Sequence, residues 1–156
     1  CSTDGADPIA VEGTWVLDEY GERWIITENS ITYEGSSDGS EYTTNYEAQI
    51  VSYSNHGLNA GETKLTGNDT EDALNPGFAV IEYTYVDDAW TEEVGKFNVF
   101  RWADNEEDPS KKDFTQGYKK DSNDDNDVFD TAAAAEAEAT NANGYFAFAS
   151  EGAVKQ

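Results

Sequence analysis

The chain has 156 residues, with 33 Asp and Glu against 9 Lys and Arg, one Cys and one His, for a formal charge of −24. One Cys excludes an internal disulfide framework and any zinc site built on several thiolates, and a single His gives no basis for a Ser-His-Asp triad or a His-rich metal centre. The charge repels nucleic acid and anionic lipid head groups, favours divalent cations or a basic partner, and predicts a stability that rises as salt screens self-repulsion.

The length suits one domain with a real core. No run approaches the roughly 18 apolar residues of a membrane-spanning helix. At the start of the chain stands the only cysteine, Cys1, followed by the small and polar Ser2-Thr3-Asp4-Gly5. These residues resemble the mature N-terminus of a bacterial lipoprotein, which begins with a Cys carrying a diacylglyceryl thioether and an N-acyl chain. The resemblance implies that Cys1 is a lipid anchor holding the protein to a membrane, since two or more acyl chains anchor stably. It implies a cell-envelope location, and Ser2 rather than an Asp after the Cys is compatible with the outer membrane. Residues 1–10 are then a flexible tether and residues 11–156 a single domain. A chain that simply starts at Cys1 is the alternative.

Beyond the tether the apolar residues alternate, which predicts strands. Trp15 and Leu17 share one face, Trp24 and Ile26 the next, Ile31 and Tyr33 a third, with "EYGE" and "ENS" as turns. The clearest strand follows: Tyr42, Thr44, Tyr46, Ala48 and Ile50 alternate with polar residues. The pattern slips by one at Ile50-Val51, which predicts a β-bulge or bend of the kind a closed or curved sheet needs. His56 falls in the turn "SNHGLN" and reads as solvated. "TKLTG" is a candidate short strand, and "NDTEDALNPG" an acidic loop. Residues 78 to 102 predict a long hairpin with its tip at Asp87-Asp88. The returning segment "FNVFRW" is apolar on both faces, so it is covered on both sides or forms an interface. "DFTQGY" is another candidate strand.

The period then changes. "DTAAAAEAEATNANG" predicts the one helix, with Asp130 or Thr131 as N-cap and Gly144 as the residue that ends it. "YFAFAS" predicts a last strand with Phe146 and Phe148 on one face. Seven to nine antiparallel strands in meander order predict a mainly β fold, either an up-and-down barrel of about eight strands or a β-sandwich. The order, with Gly13-Thr14-Trp15 before the first strand and one helix ahead of the last, is similar to the lipocalin architecture. That resemblance implies the barrel, places Trp15 at its floor, and calls for an Arg or Lys from a late strand over Trp15, for which Arg101 is the candidate. The chain departs from that family in having no match to its second motif and no disulfide.

Three groups of residues carry chemistry. Asp121, Asn123 and Asp125 alternate in "DSNDDNDVFD" as hard Ca²⁺ requires, with Asp127 as a further ligand. Position six is Asn126 rather than Gly and position twelve is Ala132 rather than Glu, so a solvated acidic loop is the competing reading. Trp90, Phe97, Phe100 and Trp102 are the candidate partner or ligand contacts, because aromatic rings stack on sugars and anchor interfaces. Lys111-Lys112 and Lys119-Lys120 balance local acid, with no Gly-rich cradle for phosphate.

No catalytic constellation stands out, since so many acids guarantee close carboxylate pairs by chance. No cofactor is required; Ca²⁺ is the one candidate ion. The leading expectation is a non-enzymatic envelope lipoprotein acting as an accessory, structural or binding subunit of an outer-membrane or extracellular assembly, with a protein partner. A lipocalin-like carrier of a small hydrophobic ligand and a carbohydrate-binding module that takes a glycan are the alternatives.

Overall fold

The computed structural model describes residues 9–17, 21–36, 40–67, 69–86, 94–117, 129–146 and 149–155. Eight antiparallel strands follow one another around a closed barrel: β1 (Gly13–Leu17), β2 (Glu22–Ile26), β3 (Ser30–Gly35), β4 (Thr43–Ser54), β5 (Leu74–Val86), β6 (Phe97–Asp104), β7 (Lys112–Gln116) and β8 (Ser150–Lys155). One short helix, α1 (Ala132–Glu138), precedes β8. Each strand pairs with the next in sequence, and Trp15 and Val16 of β1 pair with Lys155 and Val154 of β8 to close the ring. Closure satisfies every sheet edge, which an open meander leaves unpaired.

Alternation explains the strands, and bulges explain the closure. In β4 the residues facing the core are Tyr46, Ala48, Ile50 and then Tyr53, so the face changes after Ile50. The β4–β5 register shifts at that point, between Ile50 and Ser52, and again between Glu47 and Ala48. The slip read from the sequence is therefore a bend in the barrel wall. Other shifts lie between Leu74 and Gly77 and between Lys112 and Phe114. These shifts let a short sheet curl on itself.

The barrel interior is filled mainly by rings. Tyr83, Tyr46, Tyr33, Trp24, Phe114, Phe100 and Trp102 form a continuous chain of contacts with centroids 4.9 to 6.3 Å apart. Each such pair contributes about 0.5–1.5 kcal/mol beyond its buried area. Trp15 branches from Phe114 at 5.9 Å. At the floor, Ile9 and Val11 tuck into the same core, and the Trp15 indole N–H donates to the Val11 carbonyl at 2.9 Å. Gly13 sits at φ +131°, and a Cβ there would lie 2.9 Å from Lys155 Cε. Its missing side chain lets Lys155 pass, so that Nζ lies 5.9 Å from the Trp15 ring.

A second layer covers part of the outside. Val80 and Val99 face away from the barrel and pack with Phe129, Ala135, Ala139 and Phe146. Thr131 caps α1, its hydroxyl accepting from the Ala134 N–H at 3.1 Å. The helix stops at Glu138, well before Gly144, because side-chain amides take its last carbonyls. Asn59 Nδ2 donates to Glu136 and Ala139, and Asn143 Nδ2 donates to Glu138.

Arg101 ties this layer together and corrects the expectation that it covers Trp15. It lies on the outward face of β6, fully buried, 3.7 Å from the Phe146 ring centroid. Its Nε donates to Asn59 Oδ1 at 2.8 Å, and one Nη donates to Glu62 Oε1 at 2.6 Å. The cation beside Trp15 comes instead from Lys155, because β8 closes the ring next to β1. Arg101 also donates to the Leu65 carbonyl at 3.3 Å. This explains why "TKLTG" is not a strand: its carbonyls serve a guanidinium and Leu65 packs with Leu58 and Ala103. The last strand starts at the end of "YFAFAS" rather than spanning it, and Phe148 lies outside the described residues. Phe146 is taken by the outer layer, and pairing with β7 begins only at Ser150.

Candidate functional site

All the strands run alternately toward two ends of the barrel. One end carries the last residues of β1, β3, β5 and β7 and the first residues of β2, β4, β6 and β8. Here a small pocket of about 190 Å³ opens. Its walls are Trp24, Tyr33, Phe100 and Phe114, and its rim is Glu22, Thr115, Gln116 and Ser150. The alternation of β2 puts Glu22 on the inward face with Trp24 and Ile26, so a carboxylate stands at the top of an aromatic wall.

The rim is hydrogen-bonded. Tyr33 donates its phenol to Glu22 Oε2 at 2.5 Å, and Ser150 donates its hydroxyl to Oε1 at 2.9 Å. Tyr46 donates to Gln116 Oε1 at 2.6 Å. Burial and the neighbouring Glu22 push the Tyr33 phenol well above its usual value, and burial does the same for Tyr46, with Tyr83 adding to it. Both phenols therefore stay protonated donors across the physiological range.

A second concavity is larger and different in kind. An open cleft of about 650 Å³ lies beside the β6–β7 turn, and nine carboxylates line it against one lysine, Lys111. Like charge leaves its mark there. Glu71 and other acids raise Glu106 above its usual value. Burial raises Asp113 and Glu151, and neighbouring carboxylates add to both. Among the described residues, no group of three or more His, Cys, Asp or Glu side chains is arranged to hold a metal ion.

Of the residues singled out from the sequence, Phe100 reaches the pocket wall and Trp102 lies deeper in the barrel interior. Phe97 pairs with Phe129 in a β-bridge and packs under the outer layer. "FNVFRW" is thus covered on both sides by the chain itself, by the barrel core within and by the α1 layer without. His56 is exposed in its turn. Cys1, Trp90, Asp121, Asn123, Asp125 and Asp127 lie outside the described residues. Among those described, no helix is long and apolar enough to cross a membrane.

Sequence reasoning missed Glu22, which looked like part of a turn. The available signal was its spacing: two residues before Trp24, on the same face of a period-2 strand. Fold and pocket together define a class, a small up-and-down β-barrel with a packed interior and, among the described residues, a small pocket at one end. Comparison with protein-family models, curated proteins and solved structures found no match to this chain.

Proposed function

We propose that this chain is a non-enzymatic binding subunit of a bacterial cell-envelope assembly, with the barrel as a rigid frame. The observation that carries this reading is the ring chain through the barrel interior, which leaves a pocket of only about 190 Å³ at one end. A carrier of a fatty chain or a similar apolar ligand needs an enclosed space of about 300–1,000 Å³. The filled core thus favours a binding subunit over a lipocalin-like carrier. Native mass spectrometry of the protein extracted with its membrane tests the reading. A co-purifying protein with no lipid-sized adduct is the expected result. A stoichiometric apolar molecule bound inside would overturn it. The envelope location rests on Cys1 to Gly5, and mass spectrometry of the N-terminal peptide from the native source tests it. A diacylglyceryl thioether is expected; a free thiol removes the location.

A further inference from the structure

We propose that the barrel-mouth pocket is a binding site for a small organic cation of the alkylammonium type, with Glu22 as its counter-ion and the aromatic wall as its bed. This goes beyond the assembly role and does not depend on any protein partner.

Four observations select that class of ligand. The first is the lining: among the described residues, one carboxylate faces aromatic side chains, and no Lys or Arg lines the pocket. An anion would meet Glu22 with nothing to offset the repulsion. A neutral apolar ligand would strip water from Glu22 without replacing it, which is costly. A cation whose charge is spread over methyl groups satisfies both parts at once. Its carbon surface rests on rings, whose faces attract positive charge, and its charge is balanced by the carboxylate.

The second is the orientation of Glu22. Tyr33 and Ser150 each hold one of its oxygens, at 2.5 and 2.9 Å. Each carboxylate oxygen has two lone pairs, so both retain acceptor capacity, and Glu22 lines the pocket. The carboxylate is fixed before any ligand arrives, which lowers the ordering cost of binding. The third is size. At about 30 Å³ per water, the pocket holds roughly six waters, which fits an ammonium ion bearing a few methyl groups. The fourth is the field of the whole chain. A charge of −24 concentrates cations near the surface and depletes anions.

Fluorescence titration tests the proposal, because Trp24 lines the pocket. The probes are tetramethylammonium, exchanged for sodium at constant ionic strength, and tert-butanol as its uncharged counterpart. Saturable quenching by tetramethylammonium is expected, with tert-butanol at least about tenfold weaker. Glu22→Gln keeps the side-chain size and should weaken tetramethylammonium at least about tenfold, the usual scale for losing a contact with a charged group, and leave tert-butanol unchanged. Glu106→Gln with Glu151→Gln, in the acidic cleft, should leave tetramethylammonium binding as it was. Equal affinity for the two probes overturns the proposal, and so does the absence of saturation. An effect of the cleft variant as large as that of Glu22→Gln would assign the binding to general charge and overturn it as well. If Glu22→Gln does not fold, the two-probe comparison on the native chain still decides.

Discussion

Glu62 and Asp113 are both partly buried acids on the outside of the same barrel, and their surroundings push them in opposite directions. Burial works against the charge of Glu62, but Arg101 and the backbone N–H groups of Asn141 and Ala142 outweigh it and hold the carboxyl below its usual value. Burial also works against Asp113. There a side-chain amide from Asn105 and the Gly152 N–H oppose it, while Asp69 and Asp104 reinforce it, and the carboxyl stays above its usual value. The comparison teaches where a chain with so few cations has placed one. Arg101 sits where the second layer must be fixed to the barrel, joining Asn59, Glu62 and the 64–65 carbonyls in one buried knot. In the cleft, Lys112 pairs with Asp104 and Lys64 with Asp72, while Glu106, Asp113 and Glu151 stay among like charges.

The largest expected effect comes from removing that cation. Arg101→Met removes the guanidinium from Glu62, Asn59 and the 64–65 carbonyls, leaving Glu62 only its backbone N–H donors, and should cost about 3–5 kcal/mol in urea denaturation, the scale for breaking one side of a buried pair. A loss under about 1 kcal/mol would show that the knot does not hold the layer. Next comes Thr131→Ala, which removes the N-cap of α1 and should cost about 1 kcal/mol in the same assay. Were it to match Arg101→Met, the cap rather than the knot would be the fastening.

Acid titration sets the two sites against each other. Glu106, Asp113 and Glu151 bind protons more tightly in the folded chain, so stability should rise as pH falls from neutral through their raised values. That gain is complete below the ordinary values of 3.8 for Asp and 4.5 for Glu. Glu62 acts in the other sense: its contribution is present above 4.5 and is lost as pH falls through its lowered value. Thermal melting across pH should therefore place the optimum on the acid side of neutral. In Asp113→Asn the acid-side gain should shrink, and an unchanged profile would remove Asp113 from the account. The smallest effect is that of salt. Melting temperature should rise with NaCl, and less steeply in Asp113→Asn; a flat series in the native chain would mean the cleft repulsion is not felt.

Where structure follows from neighbours in sequence, the chain announces it. The alternation of Tyr42 to Ile50 marks β4, and the slip after Ile50 marks its bend, because pleat and side-chain facing are local. Asp130-Thr131 announces the start of α1 for the same reason, and Thr131 is the residue that caps it. The end of that helix was not legible, since Gly144 has the right chemistry for a stop but Asn59, 77 and 80 residues away from the carbonyls it takes, arrives first. "TKLTG" failed as a strand through another distant partner, Arg101, 36 residues from Leu65.

By itself, then, the sequence determined the β class, the meander order, the one helix and an aromatic core, all set by local period and side-chain type. Only the tertiary structure decided that the ring closes, that Lys155 rather than Arg101 lies beside Trp15, and that Glu22 meets Ser150 across 128 residues. Those pairings depend on which strands become neighbours when the sheet curls shut, and no local pattern encodes that adjacency.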